Sequence, residues 1–255
     1  MNNEDIKFFR EFFDLHVRGF ICEDELVQQN IDLKYEHSLK VCEGSRMICQ
    51  YLQLSCEEQM LAETIALFHD IGRFTQFVKY RTFQDRVSVD HAALGAEILR
   101  DSKVLERLPE AERIIVLKAV EMHNWYRIPD ALDERTRLHA KILRDADKLD
   151  IFRVVTEYYN QREFKFNPAM EEKMPDTEGY NHQIVQDILN NKNTSSCNVK
   201  NINDTRLFKL SWIFDINFDV TLQAIRKKGY IDMILSTLPD TPDVQKIRQH
   251  LIAYL

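Results

Sequence analysis

The chain has 255 residues, 44% of them hydrophobic and 29% charged, with a formal net charge of -7. That balance describes an ordinary globular protein able to bury a core without disulfides, so disorder is not the default expectation. The negative charge argues against a nucleic-acid polymer as partner, although a local basic patch can still grip a single phosphate group.

Helical rather than two-residue periodicity runs through the chain, and only six glycines and six prolines interrupt it. The predicted class is therefore all-α. Helices are expected over about residues 4–19, 31–53, 57–71, 89–101, 110–124, 135–160, 181–191, 203–215, 217–228, 229–237 and 241–254. Ser55 followed by Glu57 and Glu58 reads as a helix start, and Gly72 as a helix stop. Pro109 opens one helix, and Pro129 ends the one that runs through His123. Segment 73–88 carries basic and aromatic residues without clean periodicity and is expected to be a loop near the functional site. Lys165–Tyr180 and Asn190–Asn203 are the expected mobile or lid-like loops.

No linker forces a division, so residues 1–255 are expected to form one domain, with a core over about 31–155 and a C-terminal helical extension over about 156–255. Five cysteines without a C-x-x-C pair indicate neither a disulfide framework nor a zinc knuckle. Cys42, Cys49 and Cys56 recur every seven residues and read as a core stripe. No apolar run approaches the ~18 residues of a membrane span, and Met1-Asn2-Asn3-Glu4-Asp5 lacks the basic start of a signal peptide. A cytoplasmic protein with no membrane partner is expected, its oligomeric state left open.

Candidate metal ligands are spread along the chain in apolar helical settings: His37 early in a long helix, His69 and Asp70 at a helix end, His91 at a helix start, and His123 at a helix end. Asp147 lies within Leu143-Arg144-Asp145-Ala146-Asp147-Lys148-Leu149-Asp150. Donors on separate helices can converge in a bundle core. Any one of them alone is more often a packed or capping residue. His16, His139, His182 and His250 fall outside the set and are assigned to surface or packing roles, with His182 a candidate to reach the site from a lid.

In this order, His37, His69-Asp70 and Asp147 resemble the H…HD…D pattern of the HD superfamily of metal-dependent phosphohydrolases. Asp90-His91 through Leu99, with Val120-Glu121-Met122-His123-Asn124, is similar to the two extra histidines of its binuclear branch, which includes the HD-GYP phosphodiesterases. Asn124 stands where HD-GYP domains usually carry a second histidine, and the GYP segment is absent, which speaks against cyclic dinucleotide hydrolysis. The resemblance covers about residues 31–155 and implies an HD-domain helical bundle with additional C-terminal helices.

The resemblance implies a metal-activated water that cleaves a phosphomonoester or phosphodiester of a nucleotide or other small metabolite. The ligands would be His37, His69, Asp70, His91, His123 and Asp147, with Asp70 bridging two divalent ions drawn from Mn, Fe, Ni, Co, Zn or Mg. In a mononuclear protein His91 and His123 would contact substrate instead. Among the clustered acids, residues 145 and 147 sit ~200° apart on a helix while 147 and 150 are neighbours. The family's ligand precedes the basic residue, which selects Asp147 and leaves Asp145 as the alternative. Lys148 and Arg73 join Asp70 as candidate catalytic residues, being the cations nearest the ligands in sequence; Lys79 and Arg81 are further candidates. Trp125, Tyr126 and Phe83 are candidates for stacking on a base. Two other classes remain open: a noncatalytic nucleotide-binding or regulatory HD module, and a di-iron oxygenase.

Overall fold

The computed structural model describes residues 1–164, 166–171 and 174–255, and among these the regular structure is entirely helical. The chain divides into two compact units, Met1–Asp150 and Ile151–Leu255.

The first unit begins with Asn3–Arg18 (α1), capped by Asn2, whose side chain accepts from the Glu4 and Asp5 amides while Asp5 returns a bond to the Asn2 amide. Phe9, Phe13 and Val17, four residues apart, form its buried face. Phe9 and Phe13 meet Phe68 edge-on, at ring separations of 5.7 and 6.5 Å. Glu25–Tyr51 (α2) starts at the Asp24 cap, several residues before the periodicity predicts, because Val27 and Ile31 extend its apolar face toward the N-terminus. Cys42 and Cys49 lie in the core, where burial pushes their thiols up to about 12 and about 11. Cys56 departs from the predicted stripe: it opens the next helix, Cys56–Phe68 (α3), and is exposed.

The largest correction to the predicted elements falls on residues 71–80. Gly72 does not stop a helix but lies in the first turn of a new one, Ile71–Tyr80 (α4), so half of the expected 73–88 loop is helical. Ile71, Phe74 and Phe77 recur at threefold spacing and are buried, a stripe masked in sequence by the interleaved Arg73 and Lys79. The true loop begins at Arg81, which ends α4 in the left-handed conformation at φ 55°. It contains a short 3-10 turn at Asp85–Val87 and leads to His91–Asp101 (α5), capped by Asp90.

Glycines allow two close helix approaches. A side-chain carbon on Gly72 would overlap the carbonyl oxygen of His91 and come within 2.8 Å of the Gly95 nitrogen, so α4 lies backbone-to-backbone on α5. Gly44 on α2 lies against Ala146 of Glu134–Gln161 (α7), whose residues through Asp150 belong to this unit. Between them, Glu110–Met122 (α6) packs on α5 through Ile115, Val116, Ala119 and Val120.

The second unit contains His182–Leu189 (α8), Ile202–Ser211 (α9), Asp219–Lys228 (α10), Tyr230–Leu235 (α11) and Pro242–Tyr254 (α12), with Ile184, Ile188, Leu207, Ile234, Ile247 and Leu251 among its buried residues. The Asn190–Asn203 segment, expected to be loose, is stitched down. Thr194 donates to Asp187 at 2.7 Å, and buried Asp204 accepts from the amides of Asn181 at 2.6 Å and Lys200 at 2.9 Å. Within Lys165–Tyr180, Lys165, Glu172 and Lys173 lie outside the described residues. His182 is exposed and lies 3.3 Å from Asp243 of α12. No described helix is long and apolar enough to cross a membrane.

Candidate metal centre

The centre is built where the end of α3, the α3–α4 joint, the start of α5 and the end of α6 meet the middles of α2 and α7. Helix α3 stops at His69, whose ring turns back so that Nδ1 donates to the Ala66 carbonyl at 2.7 Å. Asp70 occupies the joint between α3 and α4. At the end of α6, His123 repeats the device, donating from Nδ1 to the Val120 carbonyl at 2.7 Å. A carbonyl can only accept, so both rings carry their proton on Nδ1 and turn a bare Nε2 inward.

The other two imidazoles reach the same state through carboxylates. His37 on α2 donates from Nδ1 to Asp150 at 2.7 Å, and His91 at the start of α5 donates from Nδ1 to Asp85 at 2.7 Å. Four Nε2 atoms therefore converge. His69 and His37 approach to 3.3 Å, and His91 and His123 to 3.0 Å, nitrogen to nitrogen. Two ring nitrogens at that separation need a proton or a cation between them, and a metal ion held by several such donors is one arrangement that supplies it.

Asp70 faces both pairs with different oxygens. Its Oδ2 lies 3.6 Å from His37 Nε2 and 3.5 Å from His69 Nε2, while Oδ1 lies 3.4 Å from His91 Nε2 and 3.6 Å from His123 Nε2. Asp147 joins the first pair, its Oδ1 3.1 Å from His37 Nε2 and 3.7 Å from His69 Nε2. Of the three aspartates in the acidic segment, Asp147 meets the imidazoles, Asp150 orients His37, and Asp145 is buried. His37, His69 and Asp70 form one group able to hold an ion, and Asp70, His91 and His123 another. A donor set of imidazole nitrogens and carboxylates fits a divalent transition ion.

Burial would raise the Asp70 carboxyl, but Lys34, His69, His123 and Arg73 outweigh it and hold it well below the usual range. Asp147 is likewise held low against its burial, by His37 and His69. For His37, burial and Lys34 favour the neutral ring, yet Asp147 and Asp150 on either side raise it. Burial, reinforced by Arg73, drives His91 down to about 3 despite its bond to Asp85. At neutral pH the centre thus holds two charged carboxylates and a neutral His91.

Of the cations predicted from sequence, Arg73 lies with Nε 3.5 Å from Asp70 Oδ1, while its Nη1 donates to the Gln76 side chain at 2.7 Å, the Phe83 carbonyl at 2.5 Å and Asp85 at 3.1 Å. Lys148 follows Asp147 on α7 and is buried. Arg81 points elsewhere, pairing with Asp24 at 2.9 Å, and Lys79 lies over the Tyr80 ring. Phe83 stacks on Phe77 at 4.6 Å, with Lys34 and Arg73 over its ring at 5.4 and 5.7 Å. Trp125 and Tyr126 are exposed, and buried Arg144 grips the carbonyls of His123, Trp125 and Tyr126.

Sequence reasoning missed Lys34, whose Nζ lies 2.6 Å from Asp70 Oδ2. The signal was present: residue 34 precedes His37 by three, so both share one face of α2. Asp85 was missed because a loop residue facing a ligand's outer nitrogen leaves no periodic trace, and Gln76 because the segment that holds it was expected to be loop rather than α4. Asn124, the departure from HD-GYP domains, donates to Asp85 at 3.2 Å and to Asp90 at 2.9 Å.

Helices that deliver histidines and aspartates to one buried carboxylate define a metal-binding, all-helical domain. Residues 35–151 match the HD domain family model, so this stretch is an HD domain, and HD domains belong to a superfamily of metal-dependent phosphohydrolases. No curated protein and no solved structure matches the chain.

Proposed function

We propose that the chain is an enzyme hydrolysing a phosphomonoester or phosphodiester of a nucleotide or another small metabolite, with two divalent ions held by His37, His69, Asp70, Asp147, His91 and His123. The observation that carries this reading is the division of Asp70, one oxygen turned to each histidine pair. Ions bound at the two groups would supply Lewis acidity, lowering the pKa of a water and neutralising phosphate oxygens.

The chain's own residues prepare that chemistry. Nδ1 partners on all four histidines fix the rings with Nε2 toward the centre. Lys34 and Arg73 add fixed positive charge beside Asp70, where a phosphate oxygen would be drawn, and Lys148 is a third candidate. Trp125 and Tyr126 offer exposed rings just beyond His123 on which the base of a nucleotide substrate could stack. The reading includes a cytoplasmic setting and small phosphorylated partners rather than polymers.

Turnover on a panel of phosphomonoesters and phosphodiesters with added Mn²⁺ tests it. Hydrolysis that requires metal and is lost in Asp70→Ala is expected. Tight nucleotide binding with no turnover on any member would replace the enzyme with a noncatalytic binding module.

A further inference from the structure

Each of the four histidines needs an acceptor on Nδ1, and the four acceptors are not equivalent. Ala66 and Val120 are carbonyls three residues back in the same helical turn, so helix formation supplies them. Asp150 lies three residues past Asp147 on α7 and is buried. Asp85 alone sits in a loop, on the 3-10 turn between α4 and α5, with its side chain 28% exposed.

That loop carboxylate is held by a dense set of donors. Besides His91, it accepts from Gln76 Nε2 at 2.8 Å, Arg73 Nη1 at 3.1 Å and Asn124 Nδ2 at 3.2 Å. Gln76 is fully buried, and its amide also reaches the Ser88 hydroxyl and the Val89 carbonyl at 2.9 Å each, clamping both ends of the turn. His91 Nδ1 lies 2.7 Å from one Asp85 oxygen and 2.9 Å from the other, both within hydrogen-bond reach.

We propose that Asp85 is a positioning residue for the His91/His123 half of the centre: it fixes His91 with Nε2 free and thereby makes occupancy of that half depend on the loop clamped by Arg73, Gln76 and Asn124. This rests on the two-ion reading above. Among the described residues, none of the hydrogen bonds named for this loop reaches His37, His69 or Asp147, so that half is expected to fill with less dependence on it. Removing an acceptor behind a ligating histidine typically weakens metal binding 10- to 100-fold, so the loop half becomes the exchangeable one.

The test is Mn²⁺ titration calorimetry, with metal counting after desalting, on wild type, Asp85→Ala and Asn124→Ala, each with a melting curve. Wild type is expected to take up two ions per chain. Asp85→Ala should keep one with wild-type affinity and bind the other 10- to 100-fold more weakly, and Asn124→Ala should weaken the same ion by less. In the metal-free proteins, nitrogen-15 imidazole spectra should show His91 protonated on Nδ1 in wild type and as a tautomer mixture in Asp85→Ala, with His69 and His123 unchanged. If Asp85→Ala does not fold, the Asn124→Ala titration decides alone. Two ions bound with unchanged affinities in the variants, or equal weakening of both, would overturn the role of Asp85 while leaving the two-ion reading standing. A single ion in wild type would overturn both.

Discussion

The sharpest prediction concerns a pair of glycines that face each other across one helix contact and should respond in opposite ways. In Gly72→Ala the new methyl meets backbone on α5: it overlaps the His91 carbonyl oxygen and lies 2.8 Å from Gly95 N, against the 3.4 Å at which ordinary contact begins. Backbone atoms cannot rotate aside, so α4 and α5 must part by at least about 0.6 Å at Gly95 and by more at His91. In Gly95→Ala the methyl meets Ile71 Cγ2 at 3.4 Å, Gly72 N at 3.5 Å and Val120 Cγ1 at 3.6 Å, all ordinary contacts. It also removes a helix-interior glycine, worth up to ~1 kcal/mol in favour of the variant.

Overpacking of this kind costs about 1–3 kcal/mol. The displaced element here also carries His91, whose Nε2 lies 3.0 Å from that of His123, while metal–ligand distances tolerate only ~0.2 Å. Urea unfolding of the metal-free proteins and metal counting of the loaded ones read the two effects separately. Gly72→Ala should lose about 2 kcal/mol or more together with the ion at His91 and His123, and Gly95→Ala should unfold within ~1 kcal/mol of wild type with full metal content. A Gly72→Ala protein of wild-type stability and metal content, or equal damage from both changes, would refute the close-approach argument.

Asp70→Ala should remove metal and turnover together while far-ultraviolet circular dichroism stays helical, since Asp70 sits at a helix joint and makes no side-chain capping bond. Lys34→Met leaves Asp70 short of its 2.6 Å partner; the metal-free variant should be less stable, by up to the ~3–5 kcal/mol seen when a buried pair is broken. Its Mn²⁺ affinity in calorimetry should nevertheless rise, because the ion no longer displaces an ammonium. Burial holds His16 and His139 below their ordinary value, so the unfolded chain takes up protons first as pH falls through about 6.5. Stability of the metal-free protein should therefore decline below that pH, by up to ~1.4 kcal/mol per pH unit for each such ring, and His139→Gln should flatten the slope measured by urea unfolding.

The helices around the centre were legible because their apolar residues recur at helical spacing and their ends carry local chemistry: Ser55 caps α3 and Asp90 caps α5. Helix α4 was not. Its buried stripe, Ile71, Phe74 and Phe77, is short and interleaved with Arg73 and Lys79, and Gly72 mimics a stop signal although its role is tertiary contact. A glycine required by a neighbouring helix cannot be told in sequence from one required by a turn. Cys56 shows the converse error, since a sevenfold spacing carried across the α2–α3 turn no longer marks one face.

The same distinction governs the site. Residues whose Nε2 or carboxylate faces the centre lie at fixed places on helices and so leave a pattern: His69 and His123 each end a helix and bond the carbonyl three residues back. The groups that make those ligands work come from wherever the fold brings an acceptor or a charge. Asp85 comes from a loop six residues before its histidine, Asp150 from a helix 113 residues beyond His37, and Lys34 from one turn upstream of a ligand on another helix than Asp70. Asp150 was legible as the neighbour of Asp147 on its helix, a surface or supporting group, though not as the partner of His37, and Lys34 could have been found by asking which side chains share the ligand face of α2. Asn124 makes the point from the other side. Judged against HD-GYP domains it is a missing histidine, yet its amide bonds Asp85 and Asp90, so the departure in sequence is an addition to the support behind His91.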